Sequence, residues 1–245
     1  MSLIFNTIVG VIIGIMINYF SDVLPVSRRI SRPLCSACQQ PYSLKDYLLF
    51  GRCSKCGKKA SIRSIIVLII TVAVCILLNY FPFAGLGFWA TLPLLLFMGV
   101  IVVIDIEHRL VLTQTSLLGF VLFLIYGIIL YGVKITLLGG LAGFLIMLFF
   151  FIFGLVFSKV IGKIRHREID EVAFGFGDVS AGTIIGLLAG WPVVIGAIII
   201  AILAFGAYSL IYILILLITK KYSAFTSALP FAPFLILGLI VIFYL

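Results

Sequence analysis

Two aspartates stand in a chain almost too apolar to hold them. Asp105 follows the run Phe97–Ile104, and Asp178 closes Gly175-Phe176-Gly177-Asp178 with another apolar run directly behind it. The remaining acids are Asp22, Asp46, Glu107, Glu168, Asp170 and Glu171. A carboxylate near hydrocarbon costs at least about 2.5–3.5 kcal/mol on insertion scales, so its presence there points to function. Two carboxylates brought close cannot both ionise cheaply and titrate as one unit. Such a pair does acid–base work on water: the ionised member takes its proton while the protonated member polarises a carbonyl.

A second constellation is Cys35-Ser-Ala-Cys38 with Cys53-Ser-Lys-Cys56. Four thiolates in two such knuckles suit a tetrahedral zinc ion with zinc–sulfur bonds of about 2.3 Å. Gly51 and Gly57 around the second pair favour a ribbon-type turn. The set is closed, which makes the expected role structural. Disulfides are the alternative, disfavoured if the loop faces a reducing cytosol. Cys75, inside an apolar run, reads as a small core residue.

The elements that must position these groups are membrane helices. Apolar residues make up 64% of the 245 and charged residues 10%. Runs of about twenty apolar residues recur without strand-like alternation. The expected fold is an all-α, polytopic membrane bundle of about eight transmembrane helices with a small cytosolic zinc-ribbon-like loop. The spans read as 3–24, 64–82, 88–104, 112–131, 136–158, 179–190, 193–219 and 229–245. The sixth is short for a full crossing. Residues 3–20 lack a preceding basic region and a clear cleavage site, and read as a retained helix. The organisation is a first helix (1–24), a four-cysteine zinc-binding loop (25–63) and a helical core carrying both aspartates (64–245).

Charge orients the bundle. With the N-terminus outside, all of the 17 basic residues but Lys134 fall on inner segments, as the positive-inside rule requires. The net charge of +9 is then a topology signal and an attraction to anionic lipids. Nothing in it calls for nucleic acid. The same topology puts Asp105 and Asp178 at one depth, near the cytoplasmic face.

Plainer readings exist for each polar group. Asp105 four residues before Arg109 could be an interfacial helix pair, and Glu107, His108 and Arg109 read as solvated, His108 with a supporting role open to it. Asp178 could be an N-cap; Gly175 and Gly177 argue instead for a sharp turn and close backbone approach. Glu168, Asp170, Glu171 and His166 read as surface. Asn18 and Asp22 are either buried partners or interfacial.

Taken together the motifs carry a resemblance. Gly175-Phe176-Gly177-Asp178 matches the Gly-x-Gly-Asp motif of intramembrane aspartic proteases. With Ile104-Asp105-Ile106-Glu107-His108-Arg109, the double Cys knuckle, Leu229-Pro230-Phe231-Ala232-Pro233-Phe234 and the stretch Gly14–Pro25, the whole chain resembles a bacterial type IV prepilin peptidase. The resemblance implies a multi-pass protein of the inner membrane that cuts the basic leader from prepilins and pseudopilins at the cytoplasmic face, serving pili or protein secretion. It implies Asp105 and Asp178 as the catalytic pair. It also implies, for many members, methylation of the new N-terminus with S-adenosylmethionine.

The chain departs from the family pattern in places. Leu112 and Thr113 stand where the family usually has Pro and then Asp or Asn. Ser180 stands where a Lys is usual, and the Pro-Phe-Gly-Pro element reads Pro-Phe-Ala-Pro. These changes bear on substrate positioning and methylation more than on proteolysis. A proton- or ion-coupled transporter is the alternative from another class, though broken helices at matching positions of the two halves are not seen. A zinc-ribbon adaptor without activity is another. For substrate selection, the sequence predicts helix docking and anionic lipid as the main determinants, with Glu168, Asp170 and Glu171 attracting the basic leader.

Overall fold

The computed structural model describes residues 3–35, 37–48, 51–59, 61–83, 86–110, 112–165, 175–219 and 229–245. Every regular element among them is a helix. The chain divides into two compact units, Met1–Ile104 and Asp105–Leu245.

The first unit holds α1 (Leu3–Ser27), α2 (Leu44–Leu48), α3 (Ile62–Tyr80) and most of α4 (Phe88–His108). α1 and α3 pack closely because glycine lines their seam: a Cβ added at Gly10 would stand 2.8 Å from the Val72 Cα. Cys75 is fully buried beside that seam, as its apolar context predicts. Small residues at a helix interface let backbones approach where lipid supplies no hydrophobic drive.

The second unit holds the end of α4, then α5 (Thr113–Tyr131), α6 (Val133–Arg165), α7 (Phe176–Ala189), α8 (Val193–Thr219) and α9 (Ala232–Tyr244). α7 is its centre and touches α5, α6, α8 and α9. Val179, Ala181, Ile184, Ile185, Leu187, Leu188 and Ala189 are all buried. Against α6 the contact is backbone to backbone: a Cβ on Gly186 would collide with the Gly139 carbonyl, and one on Gly140 would stand 2.5 Å from Leu187. Gly182 and Gly186 on α7 face Gly139 and Gly143 on α6, a small-xxx-small pair that fixes α7 in register.

Among the described residues, six helices are long and apolar enough to cross a membrane. α7 and α9, with 14 and 13 residues, span only about 21 and 20 Å against a hydrocarbon core of about 30 Å. The chain is a multi-pass membrane protein, and the eight expected spans are present as eight apolar helices. Their outward faces carry large exposed apolar side chains, such as Leu203, Leu210, Ile211, Leu214 and Ile218 on α8, which suits lipid rather than water.

Three boundaries differ from the sequence reading. α4 continues through Asp105 to His108, so the first aspartate sits within the last turn of a helix. α6 runs to Arg165, so the inner segment expected from 159 begins as helix. α7 starts at Phe176, and Asp178 is therefore inside it. Hydropathy places a boundary where polarity changes, whereas a helix continues until its backbone hydrogen bonds stop.

Candidate active site and metal centre

Asp178 is the third residue of α7, and Gly175 is the N-cap. The Asp178 carboxylate accepts a hydrogen bond from the Gly175 N–H at 2.9 Å, and the Asp178 N–H donates to the Gly175 carbonyl at 3.0 Å. This is the N3 half of a capping box, which places negative charge on the positive end of the helix. Asp178 is thus not the N-cap. Nor do Gly175 and Gly177 make the sharp turn expected of them: Gly175 is extended (φ −86°) and Gly177 is helical. The carboxylate is half-buried beside the helix entrance.

Asp105 is buried, 5% exposed. Its carboxylate accepts the Ala232 N–H at 3.0 Å, 127 residues away in sequence. That amide opens α9, whose N-cap is Phe231 and whose second residue is Pro233. Each aspartate therefore sits at a helix N-terminus, Asp178 at its own and Asp105 at one supplied by another segment. Both aspartates belong to the second compact unit.

Arg109 does not form the expected helix pair with Asp105. It takes a left-handed conformation (φ 52°) and donates its N–H to the Asp105 carbonyl at 3.0 Å. That ends α4, and the Arg109 side chain is exposed. Glu107 and His108 are exposed, as expected. Glu168, Asp170, Glu171 and His166 lie outside the described residues.

The four cysteines converge in the first unit. All four Sγ atoms lie within 4.8 Å of one another, with Cys35–Cys56 at 3.6 Å and Cys38–Cys53 at 3.7 Å. Sulfurs bound 2.3 Å from a central ion stand about 3.8 Å apart at the corners of a tetrahedron, so the residues fit zinc. The thiols are free, which removes the disulfide alternative. The two knuckles share one backbone pattern. Cys35 N–H donates to the Gln40 carbonyl and Cys53 N–H to the Lys58 carbonyl, both at 2.9 Å. Gln39 N–H donates to the Cys35 carbonyl at 2.8 Å, and Gly57 N–H to the Cys53 carbonyl at 2.9 Å. Gln39 (φ 52°) and Gly57 (φ 70°) are both left-handed; glycine adopts that region freely, so the glycine expected to relieve a turn does so here. The inward amides of Cys38 and then Ala37 hold the Cys35 thiol down to about 6 against its burial, which favours the thiolate that a metal needs.

The loop is tied to the helices by a polar cluster that sequence reading only half identified. Arg63 at the start of α3 pairs with Asp22 of α1 at 2.5 Å. Tyr47 of α2 donates its hydroxyl to the other oxygen of Asp22. Asn18, 1% exposed, donates to the Ser64 carbonyl at 3.0 Å. Asn18 and Asp22 are thus partnered, not merely interfacial. Their spacing on one helix face was the available signal; Tyr47 and Arg63 gave none.

The match to known proteins falls on the segment that carries the two aspartates. The family model described as "Type IV leader peptidase family" matches residues 92–211, a stretch that contains Asp105, Asp178 and the whole of α5 to α7. Over that stretch the chain is similar to the type IV leader peptidase family. The match covers just under half of the 245 residues, and the four-cysteine loop and the Pro230–Pro233 element lie beyond it. No curated protein and no solved structure matches the chain.

Two departures from the leader peptidase pattern meet in one place. Thr113 and Ser180 both line a groove of about 260 Å³ between α5, α6 and α7, together with Ser116, Thr183, Phe120 and Phe144. Both positions usually carry polar or charged groups in the family; here both are small hydroxyls. Thr183 donates to the Val179 carbonyl at 2.8 Å and Ser180 to the Phe176 carbonyl at 3.4 Å, so these hydroxyls are turned back on their own helix. Among the described residues, no charged side chain lines the groove.

Proposed function

We propose that this chain is a membrane-embedded aspartic endopeptidase that removes the basic leader from type IV prepilins and pseudopilins at the cytoplasmic face of the bacterial inner membrane. The observation that carries the reading is that Asp105 and Asp178, both inside the segment matched to the leader peptidase family, sit at two helix N-termini of one unit.

The chemistry uses both oxygens of a shared-proton pair. The ionised aspartate takes a proton from a water as its oxygen adds to the scissile carbonyl carbon. The protonated aspartate donates to the carbonyl oxygen, which becomes negative in the transition state. When the C–N bond breaks, the proton passes to the leaving amine and the pair regains its single shared proton. Water must reach this point in lipid. The short α7, with Asp178 in its first turn, supports a site at the cytoplasmic margin. The groove beside α7, lined by no charged side chain among the described residues, suits an apolar substrate helix, and anionic lipid suits the basic leader at that face. Zinc would be held by Cys35, Cys38, Cys53 and Cys56, where four thiolates leave no open position for water; its contribution is to the fold of the loop.

Mass spectrometry of a prepilin expressed with this chain tests the reading. The pilin should lose its leader at one bond, and the same spectrum reports any N-methylation. A pilin that keeps its leader beside a well-inserted enzyme would overturn the peptidase assignment.

A further inference from the structure

We propose that Phe205 of α8 is a positioning residue for the reaction: its ring sets where the Ala232 amide stands, and so how Asp105 is oriented, a role that rests on the aspartic-peptidase reading above.

The Asp105 carboxylate is met by the first amide of α9, so the lie of α9 decides whether that bond forms. Two different contacts hold α9 on α8. Towards its far end the contact is backbone to backbone: a Cβ added at Gly238 would collide with the Ala197 carbonyl. At the end that meets Asp105, rings set the spacing. Phe205 stands edge-on to Phe231 and to Phe234, with ring centroids 5.1 and 5.4 Å apart and interplanar angles of 86° and 72°. Tyr208, about one turn further along α8, packs on Phe234 at 5.3 Å. These are favourable separations for aromatic pairs. Phe231 and Phe234 bracket Ala232, and the Phe234 N–H donates to the Phe231 carbonyl at 3.0 Å. Phe231 is 3% exposed and Ala232 1%, so the amide moves only with the first turn of α9.

Gly238 and Phe205 thus act as pivot and spacer. Ala232 lies six residues before Gly238, about 9 Å along the helix. A tilt of about 3° at that pivot shifts the Ala232 nitrogen by about 0.5 Å, taking its 3.0 Å bond past the N–H···O range of about 2.7–3.2 Å. A methyl in place of the Phe205 ring leaves room for such a tilt. Misplacement of a reacting group by about 1 Å can cost about 10²-fold in rate.

The test reads the amide directly, in the full chain in lipid nanodiscs. Carbonyl-13C phenylalanine with 15N alanine marks alanines preceded by Phe, which are Ala84 and Ala232. The signal that moves in Asp105→Asn is that of Ala232. Phe205→Ala should move the same signal towards its Asp105→Asn position and lower kcat for leader cleavage about 10–100-fold, with KM unchanged. Phe205→Leu, which keeps most of the bulk, should restore both. Phe153→Ala removes two ring stacks from an exposed face of α6 and should alter neither. Where Phe205→Ala does not insert, Tyr208→Ala should move the signal the same way by less.

An Ala232 signal that stays in place in these variants overturns the proposal, and so does a signal that moves with kcat unchanged. Normal cleavage by Asp105→Asn would instead sink the peptidase pair and not the link from Phe205 to the amide, so the two failures are distinguishable.

Discussion

At the scale of single residues, the aspartates make the sharpest demand. Asp105→Asn and Asp178→Asn should each lower leader removal by at least about 10²–10⁴-fold, the usual loss when a positioned acid or base is taken away. Both proteins should still insert, because asparagine keeps the acceptor oxygen that meets Ala232 or Gly175. Exposed Glu107 is the contrast: Glu107→Gln should process prepilin near the wild-type rate. Cleavage assays on equal amounts of inserted protein check all three, and a normal rate for Asp178→Asn would end the dyad mechanism. These aspartates were legible in the sequence because charge in a greasy context is conspicuous. The residue that meets Asp105 was not. Ala232 contributes a backbone amide, and a backbone amide leaves no trace in residue type. Only the flanking prolines marked the spot, and they do not say which carboxylate they serve.

At the scale of elements, α7 is held by backbone contact, and in the four-cysteine loop four side chains converge. Gly186→Ala places a Cβ against the Gly139 carbonyl, and overpacking of this kind costs about 1–3 kcal/mol. Gly206→Ala on α8 meets nothing within 4 Å and replaces a poor helix former with a good one. Thermal unfolding in detergent should give a lower midpoint for the first variant and an unchanged or higher one for the second; equal midpoints would show that the α6–α7 seam is not tight. For the loop, metal analysis should find one zinc per chain, lost with Cys38→Ser. Removal should lower the stability of the loop, since binding energy at such sites is folding energy. Four thiols fully open to alkylation in the folded protein would contradict this. Both knuckles were legible from spacing alone. The glycines at 139, 143, 182 and 186 could have been read as a packing seam, but they are common in membrane helices and the pairing of two seams is a tertiary fact. Boundaries were least legible, because apolarity reports lipid depth while helix ends report backbone geometry.

At the scale of the whole molecule, the orientation expected from its charges is open to direct test. Lys134→Cys should react with an impermeant maleimide added to the outside of intact spheroplasts, and Lys159→Cys only after the inner face is exposed. Labelling of Lys159→Cys but not Lys134→Cys from outside would reverse the topology and with it the expected cytoplasmic placement of the site. Charge counting made this expectation possible because nearly all the basic residues fall on one set of segments. It could not reveal that the chain packs as two units, since packing depends on which small residues meet. The bond from Asp105 to Ala232 has a further meaning in time. Its acceptor is translated 127 residues before its donor, about 6–25 s earlier at ordinary elongation rates. Throughout that interval α4 can already be in the bilayer with its carboxylate waiting for that amide. A nascent chain that has reached only α8 holds both aspartates but not the partner of the first.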